Sequence, residues 1–202
     1  VTGIRELITA ATVVAACLPI VVAPVAVADP APPNPDVLVL SVEEVGAIAG
    51  NTGLTSDPAL DLRRPGGNHQ FDAQYPAERH AVFNQDVAFG DVGPFRSVTY
   101  TGAANRSVTQ AVGVYPSGMD ADIALKNLAT SLLACSNEGV ENLSFTLQVL
   151  NATTAALCFS QCSTIYRVVG PVLISIEADR FGDSDRIATA VLQQVAARAK
   201  AS

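Results

Sequence analysis

Hydrophobic periodicity along this chain predicts an α+β domain: an antiparallel sheet of about five to six strands with helices packed on it, in the order α-β-β-α-β-β-β-α. Three observations carry this. Residues 156–178 (ALCFSQCSTIYRVVGPVLISIEA) read as two long strands folded at Gly170-Pro171. Two further stretches of period two, residues 95–100 and 107–115, precede it around a short loop containing Gly102. Residues 117–135 and 184–199 instead repeat their apolar positions at helical spacing. Hairpin-linked strands with helices between them imply an antiparallel sheet with its helices on one face.

The hairpin is the clearest element. Val172, Ile174 and Ile176 point one way, and Leu173, Ser175 and Glu177 the other. On its first arm Cys158, Ser160, Cys162, Thr164, Tyr166 and Val168 share a face. Glycine at the first central position suits a two-residue type II′ turn. Val169 then faces Val172 and, counting outward, Cys162 faces Asp179.

Taken in order, residues 7–28 are almost wholly apolar and end in Ala26-Val27-Ala28 ahead of Asp29-Pro30. This is the pattern of a signal peptide over residues 1–28, cleaved after Ala28. An alternative is a lipoprotein, with Cys17 acylated in the lipobox-like Val14-Ala15-Ala16-Cys17. An uncleaved anchor fits less well, because Pro19 and Pro24 interrupt the run. Each route exports the domain. Residues 29–40 begin with DPAPPNPD and read as a Pro-rich spacer, leaving 41–202 as the folded domain. Ser41 and Glu44 form a capping box for a short helix with Val45, Ile48 and Ala49 inward and Gly50 at its end. Residues 51–94 are broken by Asp57-Pro58, Arg64-Pro65-Gly66-Gly67 and Tyr75-Pro76, and read as a long loop surface. Ser117 caps a long helix whose stripe is Ala121, Ala124, Leu125, Leu128, Leu132 and Cys135. A third strand spans 143–150, with Leu143, Phe145, Leu147 and Val149 on one face. The last helix follows Gly182-Asp183-Ser184 and buries Ile187, Ala188, Val191, Leu192, Val195 and Ala199.

Composition narrows the function. The net charge is −7 and Arg63-Arg64 is the one basic pair, which disfavours nucleic acid and anionic lipid surfaces. Contact with a membrane is expected only through a lipid at Cys17. Trp is absent and aromatics are 5%, so a stacking platform for sugars or bases is not expected. No G-x-S-x-G, H-E-x-x-H, C-x-x-C or P-loop occurs. His69, His80, Asp72 and Glu78 offer metal-ligating atoms, but in a polar loop they read as surface residues. Arg63-Arg64-Pro65-Gly66-Gly67 reads as a solvated turn rather than an anion site. Asp179, Asp183 and Asp185 lack the interleaved spacing of a calcium loop and suit the start of a helix instead. Tyr166 and Arg167 either line a cleft or cover a sheet face.

With Cys17 removed, Cys135, Cys158 and Cys162 remain as disulfide candidates in an oxidising compartment. In an unbroken strand Cys158 and Cys162 stand about 13 Å apart, against a limit of about 7 Å between bonded Cα atoms. They join only if a bulge or loop interrupts the strand. A bridge from Cys135 on the helix to Cys158 or Cys162 on the sheet is therefore expected, with either partner open.

The element order, the strand carrying Gln110, Ala111 and Val112 into Tyr115-Pro116-Ser117, the helix ending Leu133-Ala134-Cys135, and Cys162 ahead of the hairpin resemble the mycobacterial extracellular sensor domain. That family forms the outer part of PknH-type Ser/Thr kinases and recurs in secreted proteins and lipoproteins. The resemblance spans residues 41–202. It implies an antiparallel sheet flanked by helices, a ligand cleft and two disulfides, one from the loop region to the Cys135 position and one from the Cys162 position to the facing strand. Here the loop has Pro76-Ala77-Glu78-Arg79-His80 where a cysteine belongs, Asp179 faces Cys162, and Cys158 is additional. Re-pairing of Cys135 with Cys162 or Cys158 is the resulting expectation.

These readings converge on a non-enzymatic, exported, sensor-like domain of the mycobacterial cell envelope. It needs no cofactor and binds an unidentified small molecule in a cleft between sheet and helices. The alternative is a structural or protein-binding envelope protein that meets another envelope protein through the 51–94 surface.

Overall fold

Alternation along the strands decides how the sheet is assembled. The computed structural model describes residues 31–50, 53–77, 80–137 and 145–202. Its elements are α1 (Pro35–Leu38), α2 (Val42–Ala49), β1 (Thr55–Leu62), a 3-10 turn at His69–Phe71, α3 (His80–Phe83), α4 (Gln85–Phe89), β2 (Phe95–Thr101), a second 3-10 turn at Ala103–Asn105, β3 (Ser107–Val114), α5 (Gly118–Asn137), β4 (Thr146–Asn151), β5 (Thr154–Cys158), β6 (Thr164–Val169), β7 (Val172–Asp179) and α6 (Ser184–Ala201). The strands form one seven-stranded sheet in the order β1-β2-β3-β7-β6-β5-β4. Every neighbouring pair is antiparallel. The expected signal peptide (1–28), the cleavage point after Ala28 and the lipid site at Cys17 lie outside the described residues, as do Glu78 and Leu143. Among the described residues no helix is long and apolar enough to cross a membrane.

The β6–β7 hairpin has the expected register. Val169 pairs with Val172 and Thr164 with Glu177, around Gly170 at φ 55°. Glycine tolerates that left-handed conformation at no steric cost. On one face of the sheet Val172, Ile174, Ile176 and Ala178 join Val98, Tyr100, Val108, Val112 and Ile165 under the α6 stripe of Ile187, Val191 and Val195. On the other, Leu173, Val168, Ala155 and Leu157 meet Leu125, Leu128, Leu132 and Cys135 of α5. Helices thus cover both faces, not the one face expected. The cause is visible in Leu173 and Leu157: central strands carry apolar side chains on both sides and need two covers.

Two strands exceed the expected number. β1 lies in the 51–94 region read as loop; it is an edge strand with Pro58 within it, a register shift between Ser56 and Asp61, and an exposed surface without alternation. The other arises because the first arm of the hairpin is two strands. β5 ends at Cys158, residues 159–163 loop out, and Cys158 bonds to Cys162 with Cα atoms 3.9 Å apart. The expected bridge from Cys135 to Cys158 or Cys162 is therefore corrected: Cys135 is a buried thiol outside the disulfide. The 13 Å spacing applied to an unbroken strand, and this one is interrupted. The loop also resets the phase. Cys158 sits on the α6 side, whereas Thr164, Tyr166 and Val168 look to the α5 side. Pairing of β6 with β7 ends at Thr164 and Glu177, so Cys162 is not paired with Asp179, which pairs with Ser107 of β3 on its other side. In the chain-entropy picture a crosslink closing so short a loop contributes about 2 kcal/mol.

Ordered structure also begins ahead of Ser41. α1 precedes the capping box, and Leu38, Val39 and Leu40 are buried in the α6-side core. Buried Gln110 holds this segment down. Its Oε1 accepts from the Leu40 N–H at 2.9 Å and its Nε2 donates to the Leu40 carbonyl at 3.1 Å, which also accepts from the Tyr100 hydroxyl at 2.8 Å. Arg198 of α6 donates to the Val39 carbonyl at 2.6 Å and pairs with Glu44. The capping box of Ser41 and Glu44 forms as expected. Gln110→Leu leaves the Leu40 N–H buried without an acceptor, and a loss of about 1–3 kcal/mol in urea unfolding is expected. Gln110→Glu at a pH that keeps the carboxyl protonated should recover part of it.

Candidate functional site

α5 covers only part of its sheet face. Its first turn abuts the Gly170 end of the hairpin, where a Cβ on Gly118 would lie 3.3 Å from the Gly170 carbonyl oxygen. α4 packs just as closely. Gly113 gives Phe89 room, since a Cβ there would approach the ring to 2.8 Å, and Phe89 meets Phe95 edge-on at 5.1 Å. Away from that end the same face carries small polar side chains. One row crosses four strands as Thr99, Thr109, Glu177 and Thr164, and the next runs Ser97, Ala111, Ser175 and Tyr166. All of these but the buried Ala111 floor a cleft of about 530 Å³ whose walls include Leu60 and Leu62 of β1, Val82 and Phe83 of α3, and Phe159 of the disulfide loop.

Hydrogen bonds organise the floor and one wall. The Thr99 and Thr109 hydroxyls lie 2.9 Å apart. Gln85 Nε2 donates to Ser97 Oγ at 2.9 Å, while its Oε1 is buried with no protein partner. Burial pushes the Tyr166 phenol well above its usual range, with the charge of Glu177 adding to the effect. Enclosure by protein also raises the pKa of Glu177, helped by Asp179, although the Glu177 side chain still reaches solvent through the mouth of the cleft. Among the described lining residues Glu177 carries the one formal charge.

The wall is braced from behind. His69 is clamped by Asp72 on Nδ1 and Asp86 on Nε2, both at 2.7 Å. Asp72 accepts from buried Asn84 at 3.0 Å, and Asn84 accepts from the Asn68 N–H at 2.7 Å. His80 Nε2 lies 3.1 Å from the Tyr75 carbonyl oxygen. With both ring nitrogens of His69 engaged by carboxylates, neither is aimed at a hydroxyl as a base. Among the described residues no group of three or more His, Cys, Asp or Glu is placed to hold a metal ion.

The other singled-out residues scatter. Arg63 pairs with Asp36, and Asp179 and Asp183 pair with Arg180 and Arg186. Asp185 lies in the first turn of α6. Tyr166 lines the cleft, whereas its neighbour Arg167 projects to the opposite face. A second cavity, of about 700 Å³, is lined by charged groups of α2, β1 and β2. There Arg96 holds Asp61 through two hydrogen bonds of 3.1 and 3.0 Å, and Arg198 and Arg63 are engaged as described. These paired charges act as struts. The floor residues Thr99, Thr109, Thr164, Ser175 and Glu177 and the wall residue Gln85 were not among the sequence candidates. Their signal was polar side chains at alternate positions on strands central to the sheet.

No family model matches the chain, and no curated protein does. The fold is similar to the extracellular domain of PknH from Mycobacterium tuberculosis, with a TM-score of 0.55 and 13% identity over 81% of this chain and 97% of that one. At this identity the likeness is one of fold alone.

The brace predicts a pH response. Hydrogen bonds to the Asp72 and Asp86 carboxylates raise the pKa of His69, and the bond to His69 lowers that of Asp72. The His69 contribution is full below the unfolded imidazole pKa and is lost as pH rises through the folded one. That of Asp72 is present above its unfolded pKa and fades as pH falls through its folded one. An NMR titration should place His69 above the ordinary imidazole range. The melting temperature should decline as pH rises through that midpoint, and His69→Gln should abolish this decline.

Proposed function

We propose that this chain is an extracytoplasmic, non-enzymatic ligand-binding domain of sensor-like type in a mycobacterial cell envelope, and that the cleft beside α4 holds its ligand. The observation that carries the reading is a polar, hydroxyl-rich floor on an otherwise apolar sheet face, open to solvent and walled by apolar side chains. A cavity of 530 Å³ with convergent polar groups lies in the size range of small-molecule sites. The likeness in fold to an extracellular domain and the Cys158–Cys162 disulfide support a location outside the cytoplasm. The clamped His69 supports a binding role over a hydrolytic one.

The alternative, a protein-binding surface over residues 51–94, draws on exposed Leu60, Leu62, Phe83 and Val87. The first three line the cleft instead of forming a flat patch with Val87, which favours the small ligand. The test compares the protein purified from its host envelope with a Ser175→Trp variant that fills the floor. Mass spectrometry of organic extracts should find a small molecule enriched with the wild type and absent from the variant, with circular dichroism unchanged. Equal extracts from both, with an envelope protein co-purifying, would favour the alternative.

A further inference from the structure

Resting on the cleft reading above, we propose that the cleft selects a cationic amphiphile, with a primary ammonium group seated against Glu177 and an apolar chain along Leu157, Phe159 and Phe83. Among the described lining residues there is no Lys, Arg or His to receive an anion, so a carboxylate or phosphate would meet only the like charge of Glu177. An ammonium group offers three donors and no acceptor. The floor answers with acceptors: the Glu177 carboxylate and the hydroxyls of Thr109 and Thr164, which are its direct cross-strand neighbours. The Glu177 side chain is exposed, so a ligand's ammonium group can reach it.

The apolar half of the ligand has its own place. Leu157 pairs directly with Thr164, so an apolar wall continues from the polar row without a break. Phe159 projects from the Cys158–Cys162 loop, is 48% exposed, and meets Phe145 at 5.8 Å. A solvent-exposed aromatic ring tethered at a cleft mouth is suited to close over an alkyl chain.

The test uses n-octylamine, n-octanol and octanoate at submicellar concentrations, titrated into the ¹⁵N-labelled protein. Octylamine should move the amides of Thr109, Thr164 and Ser175 and bind at least about tenfold more tightly than octanoate. In Glu177→Gln that preference should shrink to within about threefold while octanol binding persists. Asp185→Asn, which removes a carboxylate in the first turn of α6 outside the cleft, should retain it. Octanoate binding in the cleft as tightly as octylamine would overturn the charge selection and leave the cleft reading intact. Failure of all three probes to move the cleft amides would overturn both.

Discussion

Strand β7 lies in the middle of the seven-stranded sheet, paired along its length with β3 on one side and β6 on the other. Its backbone groups are used by the sheet, so its side chains leave only through the two faces. One face is uniformly apolar, Val172 through Ala178, and the other changes from Leu173 to Ser175 and Glu177 within five residues. An apolar face must be covered, and α6 with α1 and α2 covers it. A face that turns polar partway is covered by α5 only over its apolar part. The cleft is the remainder.

The supports around that remainder follow the same logic. The floor is rigid because it is sheet. The wall is a pair of short helices, each too short to be stable alone, so it is held by Asn84, Asp72, His69 and Asp86 acting as one hydrogen-bonded brace. At the mouth the disulfide closes a loop that no regular structure would fix. On the far side Gln110 presents a side-chain amide where a neighbouring strand would present a peptide, which is how Leu40 gains backbone partners without joining the sheet.

Much of this was legible in the sequence. Period-two and period-3.6 patterns located the hairpin, α5 and α6, and local chemistry located the Ser41 cap and the Gly170 turn. The misses have physical causes. β1 is exposed on an edge, so burial imposed no alternation on it. The break after Cys158 leaves both neighbouring segments strand-like, and periodicity reads straight through it; only pairing with β4 and β7 separates them. The polar row was visible strand by strand as Thr109, Thr164 and Glu177, but its meaning depends on the sheet order, which brings distant positions side by side. Gln85 lay in a stretch that looked like loop.

The central claim is that the polar half of the α5-side face is open and enterable. The most direct measurement is the rate at which a methanethiosulfonate reagent modifies a Glu177→Cys variant, read by mass spectrometry against native Cys135 as the buried comparison. An open cleft predicts modification of Cys at 177 orders of magnitude faster than of Cys135, slowed when the cleft is occupied. Equal, slow modification of both thiols would mean the face is covered and would contradict the account.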